Sequence, residues 1–125
     1  MSTPLANILI VDDNPDNLKV LMAMLSKEGY KVRSVLSGDM ALTAARAAAP
    51  DLILLDVSMP VMDGYEVCEI LKTDPDLLHI PVIFITALGE ELDKKRANQV
   101  GAGDLIIKPF RLDEVLEKIE YHLGI

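Results

Sequence analysis

Four short apolar runs that do not alternate constrain this chain most: Ile8–Val11, Leu52–Leu55, Val82–Ile85 and Leu105–Ile107. A strand with one wet face alternates polar and apolar residues. An unbroken run instead expects apolar neighbours on both faces, as in a parallel sheet covered by helices. A fifth segment, Lys31–Val35, does alternate and reads as an edge strand. Between the runs the apolar period changes to that of a helix. Leu18, Leu21, Met22 and Leu25 are spaced i, i+3, i+4, i+7, with Asn14 placed to cap, Pro15 at the first helical position and Gly29 at the end. Leu112, Val115, Leu116 and Ile119 repeat the spacing, with Asp113 and Glu114 favourably set in the first turn. Asp63 and Glu66 form a capping-box pattern before Val67, Ile70 and Leu71. Alanine-rich residues 38–48 predict another helix, stopped by Pro50. Residues 90–100 predict a helix with a thin apolar stripe, chiefly Leu92 and Val100, which should be loosely held.

Strand followed by helix, five times over, specifies an α/β fold with right-handed crossovers. The chain of 125 residues is about half the length a (β/α)8 barrel needs. The expected architecture is therefore a doubly wound, flavodoxin-like sheet of five parallel strands in the order 2-1-3-4-5, with helices on both faces and one domain filling residues 1–125. No repeat, linker or low-complexity tract divides it. The single cysteine, Cys68, excludes an internal disulfide framework, and a chain of this length can bury a core without one. The first residues lack the basic flank and apolar stretch of a signal peptide, and no apolar run approaches the roughly 20 residues of a membrane span. A soluble cytoplasmic domain is the expectation.

The polar residues that follow the strands carry the functional argument. Asp12 and Asp13 follow the first buried run, Asp56 the second, Thr86 the third and Lys108 the fourth. In a parallel sheet all strand C-termini share one edge, so these scattered residues should converge. Ligands bind at that edge, where the strand order reverses, here between the first and third strands. Three carboxylates within about 5 Å repel, roughly 3 kcal/mol per pair at an effective dielectric of 20, so one is protonated or a cation lies among them. Three hard oxygens point to Mg²⁺, which leaves coordination sites for a phosphate oxygen. Lys108 adds a point charge suited to phosphate or carboxylate, and Thr86 a hydroxyl. Each residue alone has a plainer reading, as a turn residue, a loop start, a helix cap or a solvated charge. Their joint placement outweighs those readings.

Four stretches then carry a resemblance: ILIVDDN at 8–14, DLILLDVSMPVMDGYE at 51–66, IPVIFITAL at 80–88 and KPF at 108–110. From end to end the chain resembles the receiver domain of two-component response regulators, the chemotaxis regulators among them. The resemblance implies that Asp56 accepts a phosphoryl group from a phosphohistidine, on a sensor histidine kinase or a histidine phosphotransfer protein. It implies that Asp13, Asp56 and the backbone carbonyl of Ser58 hold Mg²⁺, with Asp12 acting through water. Lys108, joined to Pro109 by a cis bond, would pair with the phosphoryl oxygens, and Thr86 would turn inward to them. The face of the fourth helix, fifth strand and fifth helix would then change its preference for a downstream protein or output domain, with homodimerisation left open. Many receivers place Tyr or Phe three residues before the lysine as a rotating ring. Here that residue is Leu105, which cannot signal by ring motion.

Other functions fit less well. The net charge of −8 opposes binding to nucleic acid or anionic membrane. The acids concentrate in residues 51–125, which carry fifteen against seven bases, whereas residues 1–50 carry five of each. A Mg²⁺-dependent phosphatase with an aspartyl-phosphate intermediate would usually place a second aspartate two residues after its nucleophile, where Ser58 stands. A receiver that signals without phosphate would usually lack an acid or the lysine. Neither G-x-G-x-x-G nor G-x-x-x-x-G-K-[ST] follows the first strand. Met22, Met24, Met40, Met59 and Met62 read as packing residues. Cys68 lacks a histidine partner, and His79 and His122 match no metal spacing.

Overall fold

Along β1 (Asn7–Val11), Ile8 and Ile10 join one layer of the core and Leu9 and Val11 the other, all four buried. The same division recurs on β3 (Leu52–Asp56) and β4 (Val82–Thr86), every residue of which is buried. The computed structural model describes residues 5–87 and 91–125, apart from the side chains of residues 91–93. Its five strands form one parallel sheet in the order β2-β1-β3-β4-β5, where β2 is Lys31–Val35 and β5 is Asp104–Ile107. On one face α1 (Pro15–Lys27) and α5 (Leu112–Leu123) bury Leu18, Leu21, Leu25, Val115 and Ile119. On the other lie α2 (Gly38–Ala47), α3 (Gly64–Thr73) and α4 (Glu91–Gln99), which bury Leu42, Val67, Cys68, Leu71 and Ala97. The doubly wound, flavodoxin-like architecture is the one the strand and helix periods specify.

The helix termini follow local chemistry. The Asn14 side chain accepts hydrogen bonds from the N–H groups of Asp16 and Asn17, Pro15 opens α1, and Gly29 turns the chain out at φ +98°. Asp63 caps α3 by accepting from the N–H of Glu66 at 2.9 Å. Two expectations need correction. Leu105–Ile107 is not buried on both faces: only Ile106 is fully enclosed, and Ile107 is 40% exposed. β5 closes the sheet, and its outer side has no neighbouring strand to cover it. Met40 is not a core residue either. It lies half-exposed on the outer side of α2, beside Val35 and Ala44. The expected stripe residue Leu92 has a side chain outside the described residues, whereas Val100 is buried.

One residue of the β3–α3 loop is strained. Val61 has φ +70° and is 97% exposed. The N–H of Met62 donates to the Pro60 carbonyl at 2.8 Å, closing a γ-turn around Val61, and a β-branched side chain at positive φ strains that turn by about 1–2 kcal/mol with no packing to offset it. Val61→Gly is expected to raise the thermal midpoint by about 2–4 °C, because glycine takes a positive φ without steric cost. An unchanged or lower midpoint in reversible thermal unfolding would contradict the account.

Candidate functional site

The register of the sheet explains how the polar residues meet. Val11 pairs with Leu55, Leu55 with Phe84, and Phe84 with Leu105, so one row of apolar residues, buried on the first three strands and half-buried at Leu105, crosses four strands. The next positions outward are Asp12 and Asp56, side by side on adjacent strands about 5 Å apart. Beyond them, Thr86 pairs with Ile107, and the N–H of Lys108 donates to the Thr86 carbonyl at 2.7 Å. The edge thus gathers the five residues the sequence indicated.

Asp12, Asp56 and Thr86 are buried polar residues, whereas Asp13 and Ser58 are exposed at the rim. One carboxylate oxygen from each of Asp12, Asp13 and Asp56 can lie within 4.8 Å of the others. Lys108 Nζ stands 3.4 Å from Asp12 Oδ2 and 3.7 Å from Asp56 Oδ2. The N–H of Ser58 donates to Asp56 Oδ1 at 3.2 Å. Burial pushes the Asp56 carboxyl up to about 6, and the charge of Asp12 adds to the rise, while Lys108 and the Ser58 N–H pull the other way. One ammonium therefore faces three carboxylates. The set is short of positive charge and offers hard oxygens, which fits a divalent cation such as Mg²⁺.

Asp12 is oriented by neighbours that sequence reasoning missed. Its Oδ1 accepts from the N–H of Asn14, and its Oδ2 accepts from Asn17 Nδ2 at 3.2 Å. A polar residue in the first turn after the Asp-Asp pair was the available signal. Gly64 was also missed. Its Cβ, if present, would lie 2.5 Å from the Asp56 carbonyl oxygen and 2.9 Å from Val57 Cα, so α3 begins against the backbone at the end of β3. The cis bond between Lys108 and Pro109 is present. Leu105 is partly buried against the core beneath the α4 face.

The residues set aside behave differently from one another. Burial pushes the Cys68 thiol up to about 11, and its S–H donates to the Val100 carbonyl, which leaves no reactive thiolate. His122 is held by Asp104 at 3.0 Å, next to Lys118 at 2.9 Å, at the opposite end of β5 from Lys108. His79 is exposed and lines one cavity with His122 and Asp51, although 43 positions separate the two histidines. Among the described residues only Asp12, Asp13 and Asp56 cluster as metal ligands. No described helix is long and apolar enough to cross a membrane.

Comparison with known proteins agrees with this geometry. The sequence profile of the response regulator receiver domain matches residues 8–120. The chain is 46% identical over 111 residues to the response regulator PleD of Caulobacter vibrioides, covering 89% of this chain and 24% of that one. It is 39% identical over 118 residues to the polar-differentiation response regulator DivK of Brucella ovis, covering 94% of this chain and 96% of the other. The chain thus spans about a quarter of the length of PleD and nearly all of DivK. Its fold superposes, with a TM-score of 0.88 and 33% identity, on the receiver domain of sensor histidine kinase PA1611 from Pseudomonas aeruginosa, a crystal structure with a magnesium ion coordinated in the active-site cleft. That match covers 96% of this chain and 98% of the other.

Proposed function

The chain belongs to the response regulator receiver domain family, and from that premise we propose that it is a single phosphoacceptor domain whose Asp56 takes a phosphoryl group from a phosphohistidine donor. One observation carries the reading. Three acidic side chains can bring oxygens within 4.8 Å, with Lys108 Nζ 3.4 and 3.7 Å from the two buried ones. An ionised Asp56 oxygen attacks phosphorus, the bond from phosphorus to the donor nitrogen breaks, and the imidazole nitrogen leaves with the electron pair. The Asp56 carboxyl lies near 6, so it is mostly ionised at pH 7.5 and competent as a nucleophile.

Asp12, Asp13, Asp56 and the backbone carbonyl of Ser58 would hold Mg²⁺, directly or, for Asp12, through water. When bound, Mg²⁺ supplies positive charge to the phosphoryl oxygens. Lys108 reaches those oxygens from the β5 side and trades its carboxylate partners for them. Thr86, at the end of β4, offers its hydroxyl to the same group. The added charge of about −1.5 to −2, by analogy with other phosphorylated side chains, draws Lys108 and Thr86 inward. The altered face is that of α4, β5 and α5. There a groove of about 370 Å³, lined by Lys94, Asn98, Asp104, Leu105, Ile107 and Lys118 among others, suits a downstream protein or output domain. The donor is a sensor histidine kinase or a histidine phosphotransfer protein, and the module acts in the cytoplasm. Its own chemistry extends only to its phosphorylation and dephosphorylation.

Incubation with a small phosphodonor and Mg²⁺ is expected to add one phosphoryl mass to the wild type and none to Asp56→Asn, as read by intact mass spectrometry. Chelation of Mg²⁺ should abolish the adduct. A wild type that stays unmodified by both a small donor and an active cognate kinase would overturn the proposal.

A further inference from the structure

Among its described residues, α4 is held to the rest of the fold by few groups. Its mean hydropathy is low, and its described buried side chain is Ala97, followed by Val100 just past the helix. At that C-terminal end it is tied to α3. Cys68 S–H donates to the Val100 carbonyl at 3.4 Å, and the Lys72 stem lies against Gly101, where the chain turns at φ +89°. One helical turn earlier comes a contact of another kind. The guanidinium of Arg96 lies over the ring of Tyr65, 4.3 Å from its centroid.

Tyr65 connects that contact to the acceptor site. It is buried and directly follows Gly64, which packs on the Asp56 and Val57 backbone. Its ring stands edge-on to Phe84, with centroids 5.2 Å apart at 83°. Phe84 is fully buried, two residues before Thr86, and its register partners are Leu55 on one side and Leu105 on the other. A continuous set of contacts therefore runs from the Asp56 strand and the Thr86 strand through Tyr65 to Arg96 on α4. No comparable ring stands at Leu105.

We propose that Arg96 is a positioning residue whose stack on Tyr65 couples occupation of the Asp56 site to the placement of α4. The inference rests on the receiver reading above. A ligand shifts an equilibrium only through contacts that differ between the two states. The stack can provide such a difference, because a cation held over a ring loses its attraction as the ring tilts or slides. With its C-terminal end anchored by Cys68 and Lys72, α4 then has a pivot at Gly101 and a clamp at Arg96.

The test compares backbone amide exchange of residues 94–100 with and without Mg²⁺ and fluoroberyllate, a phosphoryl mimic, in wild type, Arg96→Ala, Arg96→Lys and Tyr65→Leu. Fluorine NMR reports separately whether the mimic is bound. In the wild type the mimic is expected to change exchange in α4 by about three- to fivefold, the factor such a contact supplies at a partly exposed site. Arg96→Ala should exchange faster without the mimic and show little further response to it. Arg96→Lys should restore much of the response. The double variant Arg96→Ala with Tyr65→Leu should behave like either single variant, as for a direct contact. A purely structural role would raise exchange equally in both states and leave the response intact, which overturns the inference alone. So would additive effects of the two substitutions. Absence of bound mimic in the wild type instead overturns the receiver reading, and this inference with it.

Discussion

Asp56→Asn is expected to unfold at higher denaturant concentration than the wild type, by about 2–3 kcal/mol at pH 7.5 in magnesium-free buffer. The Asp56 carboxyl lies near 6 in the folded protein, against 3.8 for an ordinary aspartate, chiefly because it is buried and also because Asp12 is adjacent. The folded protein keeps the Asp56 proton up to about pH 6, whereas the unfolded chain releases it near pH 4. Across that window the folded state binds more protons, so its stability falls as pH rises. Above pH 6 the loss is complete, about two units at 1.36 kcal/mol each. Asparagine removes the charge and keeps an oxygen for the Ser58 N–H. The gap between variant and wild type should therefore open between pH 4 and 6 and stay level to pH 8. Added Mg²⁺ should narrow it by stabilising the wild type through binding. Chemical denaturation at a series of pH values measures this. A variant no more stable than wild type at pH 7.5 would mean that Asp56 carries no penalty when ionised.

Gly64→Ala should act in the opposite direction and cost about 3 kcal/mol or more. Its new Cβ would meet the Asp56 carbonyl oxygen at 2.5 Å and Val57 Cα at 2.9 Å, both backbone atoms that no rotamer change can move. Overpacking against flexible side chains typically costs about 1–3 kcal/mol, and rigid neighbours put this site at the top of that range. The same displacement moves the start of α3 away from β3 and takes Asp56 with it, so phosphoryl acceptance from a small donor should slow by at least about tenfold. Gly38 makes a useful comparison. Its added Cβ would meet Val67 Cγ2 at 2.7 Å and Met62 Cγ and Sδ at 3.0 and 3.1 Å; the methionine can turn aside, and the stiff, buried Val67 makes α2 give way, but no backbone atom of β3 is touched, so Gly38→Ala should destabilise less and leave acceptance unchanged. Equal effects at the two glycines would refute the backbone argument.

The legible part of this protein was what depends on pattern. Ile8–Val11, Leu52–Leu55 and Val82–Ile85 announced strands buried on both faces, because each residue had to be apolar to sit between two helical layers. Asn14, Asp63 and Gly29 announced helix ends, because capping is settled by a residue and its nearest neighbours. β5 misled the same reasoning. Leu105–Ile107 is as apolar as the inner strands, and although the expected strand order put it at the border of the sheet, nothing in its composition tells that one side would be exposed. Asp104 is similar. Burial alone would push its carboxyl up, but hydrogen bonds from Lys118 and His122 outweigh that and hold it below the ordinary range. Those partners stand 14 and 18 positions away, at no recognisable spacing.

Hydrophobic period and strand-end chemistry in the chain by itself determined the architecture, the edge on which the acids gather and the residue types present there. Such properties are local or follow from the geometry common to every parallel sheet. Which groups touch, and how strongly, was decided only by packing. The rise of Asp56, the seat of Gly64 on the β3 backbone and the stack of Arg96 on Tyr65 each depend on separations of a few ångströms between groups on different elements. Electrostatic attraction, desolvation and steric repulsion all change steeply over such distances, so residue order along the chain does not encode them in any pattern that can be read directly.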